Sequence, residues 1–76
     1  MKEKVINILK GIRADLDYEN STALIDDGGL TSLDVLQIIA EFGDEFDVMI
    51  RPSEIKPRNF NSVEAMVALI ERLMEG

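Results

Sequence analysis

Apolar residues first recur at Val5, Ile8, Leu9, Ile12 and Leu16, in steps of three and four that lay one stripe along a helix. The spacing predicts a helix over about residues 2–15. Gly11 costs it about 1 kcal/mol relative to Ala without breaking the stripe. A second stripe runs through Leu33, Leu36, Ile39, Phe42 and Phe46, widened by Ile38, and predicts a helix over residues 32–46. Thr31-Ser32-Leu33-Asp34 marks its start as a capping box, with Thr31 accepting from the first turn and Asp34 reaching back to it. A third stripe, Val63, Met66, Val67, Ile70, Leu73 and Met74, follows Asn61-Ser62-Val63-Glu64, which reads as a further cap with Asn61 and Glu64 as the reciprocal pair.

Between the first two helices, residues 16–31 show no helical period. So long a loop in so small a chain is either functional or pinned by its own apolar residues, and Leu24, Ile25 and Leu30 are the expected pins. Gly28-Gly29 suits a tight turn into the second helix. Residues 47–61 contain both prolines, Pro52 and Pro57, so no long helix fits there. Arg51-Pro52-Ser53-Glu54-Ile55 can open one short turn, because Pro suits the first helical position. The expected fold is all-α: one domain over residues 1–76, with three main helices and a short one before the last, packing their stripes into one core.

Composition narrows what that core can carry. A chain of 76 residues buries only about 60% of its unfolded surface. It has no cysteine and no histidine, so disulfides, thiolate metal sites and the usual near-neutral acid–base are absent. The charged residues Lys2, Glu3, Lys4, Lys10 and Arg13 interrupt the N-terminal apolar positions. That pattern does not fit a signal peptide, nor does any stretch fit a membrane span. Asn20-Ser21-Thr22 matches a glycosylation acceptor by chance on this reading, and a cytoplasmic monomer is expected.

The net charge of -7 argues against nucleic acid as a partner. Between residues 14 and 50 there are ten carboxylates and no Lys or Arg. Such a tract is either a solvated face that keeps a small protein soluble or a docking face for basic partners.

Catalysis finds little support. A Ser nucleophile needs a nearby base, and exposed carboxylates keep ordinary pKa values. Asp26-Asp27-Gly28 does not fit a calcium loop: with Gly29 at the sixth position, Leu24 falls first and Val35 twelfth, where oxygen ligands are required. The Gly28-Gly29 pair lacks the Lys of a phosphate-binding loop. Ser32 remains. A Ser at a helix start is most often a cap or first-turn residue. Here, however, it lies within Gly29-Leu30-Thr31-Ser32-Leu33-Asp34, about fourteen residues before Phe46-Asp47-Val48; Ile50-Arg51-Pro52 and Phe60-Asn61-Ser62-Val63 then follow.

This arrangement resembles the acyl carrier protein family, including its peptidyl and aminoacyl carrier relatives, over the chain from the first helix to about Leu73. The resemblance implies that Ser32 receives 4′-phosphopantetheine from coenzyme A, where helix N–H groups and the positive dipole end favour an anion. It implies a non-enzymatic carrier that holds acyl or aminoacyl intermediates as thioesters on the arm. Its partners would be a phosphopantetheinyl transferase, a loading ligase and synthases of fatty-acid, polyketide, nonribosomal-peptide or related biosynthesis. It further implies that the second helix and the loop before it meet basic patches on those enzymes, through Asp26, Asp27, Thr31, Leu33, Asp34, Val35, Gln37, Ala40, Glu41, Asp44 and Glu45. Such a face raises encounter rate and selectivity. Asp34 fits this role and the capping role equally. An acyl chain folded back between the helices would meet Leu36, Ile39, Phe42, Ile55 and Met66, each of which core packing also explains.

The chain departs from the family at Thr31, which stands where Asp is usual. Val35, Gln37, Ala40 and Gly43 occupy positions that are often acidic or larger in fatty-acid carriers. A partner would meet less charge and a more apolar patch, which favours a dedicated pathway over fatty-acid synthesis. The rival readings are an unmodified helical interaction domain and a self-sufficient esterase. The first predicts no mass gain with coenzyme A and a transferase. The second predicts ester hydrolysis that depends on Ser32.

Overall fold

The first helix ends earlier than its stripe predicts because one side chain is needed elsewhere. In the computed structural model, which describes residues 1–75, helix α1 spans Lys2–Ile12. Arg13 closes it in an extended conformation, its N–H still bonded to the Leu9 carbonyl at 2.7 Å. Its guanidinium turns toward the following loop. Leu16 therefore belongs to that loop, half-buried, and not to the helical stripe.

Helix α2 spans Ser32–Phe46, as its pattern predicts, and opens on the expected capping box. It ends at Asp47, whose φ of 54° puts it in the left-handed region, with its N–H bonded to the Gly43 carbonyl at 3.1 Å. A 3₁₀ turn at Pro52–Glu54 fulfils the expected proline-led turn. A further short helix, α3, covers Pro57–Phe60, again with Pro in its first turn. Helix α4 spans Val63–Glu75. No strand occurs among the described residues, and no helix among them is long and apolar enough to cross a membrane.

The core is built where α1, α2 and α4 meet. Val5 and Leu9 of α1, Ile38 and Phe42 of α2, and Val63, Met66, Leu69 and Ile70 of α4 are buried. Phe42 and Phe46, one turn apart, meet edge to face at 5.9 Å. The buried face of α2 is rotated from the predicted stripe. Val35, Ile38 and Phe42 point inward, whereas Leu33 and Leu36 are 73% and 58% exposed. Both sets step by three and four, so the pattern alone cannot choose between them; packing against α1 and α4 does.

The long loop is pinned as expected by Leu24 and Leu30, which are buried, and by half-buried Ile25. Tyr18, not foreseen as a pin, is also buried, and its hydroxyl lies against the Leu9 and Arg13 carbonyls. Gly28 has a φ of 81°. A Cβ on Gly29 would lie 3.1 Å from both the Leu16 side chain and the Leu24 carbonyl. The pair thus supplies one left-handed turn and one close approach.

The predicted Asn61–Glu64 pair does not form. Ser62 caps α4 instead, its Oγ accepting the Ala65 N–H at 3.0 Å, while Glu64 pairs with Lys2 at 3.0 Å. Asn61 reaches across to the long loop: its carboxamide oxygen accepts the N–H groups of Ile25 and Asp26.

Candidate functional site

Ser32 is the first residue of α2 and is exposed. The capping box around it is complete: the Asp34 N–H donates to Thr31 Oγ1 at 3.2 Å, and the Thr31 N–H donates to Asp34 Oδ2 at 3.0 Å. These bonds leave the first-turn N–H groups of Ser32 and Leu33 free to face an anion placed on the Ser32 oxygen. The other serines are differently placed. Ser21 accepts the Ala23 N–H, Ser62 caps α4, and Ser53 lies in the three-residue 3₁₀ turn.

Ser32 stands on an open groove of about 430 Å³, within the size range of small-molecule sites. Leu30, Val35, Leu36, Ile55 and Phe60 supply apolar walls, and Lys56 is their one charged neighbour. Of the five residues expected to meet a folded-back acyl chain, Leu36 and Ile55 line this groove. Phe42 and Met66 do not; they are fully buried core. Ile39 packs against that core, half-buried. The cavity lies between α2, the loop residues Ile25 and Leu30, and the segment 55–60.

The residues expected to meet partners divide into two groups. Leu33, Gln37, Ala40, Glu41 and Asp44 are exposed. Together with Leu36 they follow the three-and-four spacing of one helix face beginning beside Ser32. Thr31 and Asp27 are exposed nearby. Val35 is not on this face: only 8% exposed, it floors the groove. Asp34 is engaged internally, its side chain 14% exposed and bonded to Thr31 and Arg13. Asp26 is held by the Asn61 amide at 3.1 Å. Glu45 is exposed but paired with Lys4 at 3.3 Å.

Arg13 is the principal residue that sequence reasoning missed. Its Nη1 donates to the Gly29 carbonyl at 2.9 Å and to Asp34 at 3.1 Å, while Nε and Nη2 donate to Asp15. Asp15 first, and then Asp34, raise its pKa further. The Asp15 carboxyl is correspondingly held below its ordinary value by Arg13. Asp34 is also held low, first by the Thr31 N–H, then by the Thr31 hydroxyl and Arg13. The one available signal was position: Arg13 is the last cation before the carboxylate tract.

A family profile described as "Phosphopantetheine attachment site" matches residues 3–70. The chain belongs to this family of carrier proteins. It is similar to aminoacyl carrier protein 1 of Bradyrhizobium diazoefficiens, with 34% identity over 92% of this chain and 81% of that protein. It is also similar to the D-alanyl carrier protein of Lactococcus lactis subsp. cremoris, with 29% identity over 93% of this chain and 92% of that protein. The family is non-catalytic, so the protein is a carrier and not an enzyme, and its cofactor is covalent 4′-phosphopantetheine. Carriers of this family work with a phosphopantetheinyl transferase and with loading or synthase enzymes. The site fits the group, with an exposed hydroxyl at a helix start beside an apolar groove.

Proposed function

We propose that this chain carries an aminoacyl group as a thioester on a 4′-phosphopantetheine arm attached to Ser32. The observation that carries the reading is the exposed Ser32 hydroxyl at the first position of α2, on the rim of the groove. In the attachment step, Ser32 Oγ attacks the phosphorus of coenzyme A that bears the pantetheine. The Oγ–P bond forms, the pyrophosphate P–O bond breaks and adenosine 3′,5′-bisphosphate leaves. The hydroxyl proton passes to a base on the transferase. The new phosphodiester then lies at the positive end of α2, where free N–H groups favour it. The arm supplies the thiol that this cysteine-free chain lacks.

The similarity to aminoacyl and D-alanyl carrier proteins favours an aminoacyl cargo and an adenylating ligase as the loading partner. The exposed face of Leu33, Leu36, Gln37, Ala40, Glu41 and Asp44 supports docking there: an apolar patch beside Ser32 and carboxylates farther along. Basic partner surfaces suit those carboxylates and would make association salt-sensitive. Asp44 and Glu45 stand in the last turn of α2, which has no basic residue, although negative charge there opposes the helix dipole.

Intact mass after incubation with coenzyme A and a broad-specificity transferase tests the reading. One phosphopantetheinyl group should be gained by the wild type and none by Ser32→Ala. No gain would leave an unmodified interaction domain as the better account, and a gain that survives Ser32→Ala would move the attachment point to another residue. Loading of the modified chain by an amino acid with ATP and an adenylating ligase, and not by malonyl or long-chain acyl donors, tests the cargo.

A further inference from the structure

Ser32 is exposed, so little packing of its own fixes the direction of its hydroxyl. Its aim is set by the chain on either side. On one side the Gly29 carbonyl accepts from Arg13 Nη1 at 2.9 Å, and the Leu30 N–H donates to the Leu24 carbonyl at 2.8 Å. On the other, Asp34 Oδ2 accepts both the Thr31 N–H and the same Arg13 nitrogen. One guanidinium from the end of α1 therefore grips the entering loop three residues before Ser32 and the helix two residues after it. Asp15 holds the far side of the fork through Nε and Nη2, each at 3.0 Å.

We propose that Arg13 is the positioning residue for modification of Ser32, an inference that rests on Ser32 being the acceptor. Two physical effects combine. The planar fork holds Gly29 and Asp34 through Nη1 while Asp15 fixes its Nε and Nη2 edge, an orientation that a freely rotating ammonium does not have. Its charge also offsets Asp34, which would otherwise repel the phosphate being transferred two residues away. Arg13 does not line the groove and acts only through Gly29 and Asp34.

The test compares the wild type with Arg13→Gln and Arg13→Lys, using the full unmodified chain and then its modification. Backbone amide exchange in Arg13→Gln should quicken about tenfold at Leu30, Thr31 and Asp34, whose N–H groups are hydrogen-bonded in this turn, relative to the interior of α4, because one local clamp is lost. Transfer from coenzyme A, followed by intact mass, should lose about tenfold in kcat with KM changed by less than about twofold, since a misplaced nucleophile affects the step and not the docking. Arg13→Lys should fall between the two, keeping charge without the fork. Exchange that is unchanged at Leu30, Thr31 and Asp34, exchange that quickens uniformly, or a loss confined to KM would each overturn the proposal. If the wild type accepts no phosphopantetheine, the reading of Ser32 fails instead; the exchange pattern still decides whether Arg13 sets the turn.

Discussion

Asn61 and Asp26 hold one another across the molecule: the Asn61 carboxamide accepts the Asp26 N–H at 3.1 Å and donates to its carboxylate at 3.1 Å. The same oxygen accepts the Ile25 N–H at 2.9 Å, and the Asn61 backbone carbonyl accepts the Leu24 N–H at 2.8 Å. The loop that leads to Ser32 is thereby fastened to the junction of α3 and α4. Asn61→Ala removes every side-chain bond and strands the partly buried Ile25 N–H, at a cost of about 2 kcal/mol. A urea titration should show a lower midpoint with an unchanged slope. An unchanged midpoint would mean that the loop is held by its apolar pins alone.

Tyr18, 2% exposed, places its hydroxyl against the carbonyls at the end of α1. Tyr18→Phe keeps the ring and loses the donor, and should cost about 1 kcal/mol. Thermal melting should register this as a fall in Tm of roughly 4–8 °C for a domain of this size. Burial raises the phenol pKa, so tyrosinate absorbance should appear at higher pH than in a free tyrosine.

The depressed Asp34 pKa gives stability a sign with pH. A carboxyl whose folded pKa lies below its unfolded value, about 3.9, stabilises above that value, and the contribution is lost as pH falls through the folded pKa. Thr31 and Arg13 hold Asp34 in this way. Asp34→Asn should therefore be less stable than the wild type near pH 7, and the gap should narrow progressively below about pH 4. A gap that stays constant on acidification would contradict the assignment. The difference between the two proteins isolates Asp34 from the other carboxylates.

Leu33 and Leu36 bury little in the free protein. Leu33→Asp and Leu36→Asp should therefore shift stability by no more than about 0.5 kcal/mol. If this face meets partners, both should raise KM for modification or loading severalfold. Full activity with both variants would move docking elsewhere.

Asp47 closes α2 in the left-handed region, where a Cβ is disfavoured, and adds negative charge at the helix end. Asp47→Gly should stabilise the protein by roughly 0.5–1 kcal/mol, read as a higher urea midpoint. Destabilisation instead would mean that the Asp47 side chain secures the turn.

The extents of α2 and α4, the Thr31–Asp34 box and the start of a helix at Ser32 were legible in the residues, because each depends on chemistry within one or two turns of chain. Spacing of three and four fixes a helix, and a capping box is closed by residues three apart. The chain could not by itself choose which of two overlapping stripes on α2 faces inward. Only the packed tertiary structure buries Val35 and leaves Leu33 and Leu36 in solvent. Nor could it show that Asn61 would abandon a local cap for Ile25 and Asp26, or that Arg13 would stop α1 early to reach Gly29 and Asp34. Those bonds join residues 16 to 36 positions apart, and no local propensity encodes a partner at that distance until the helices have packed.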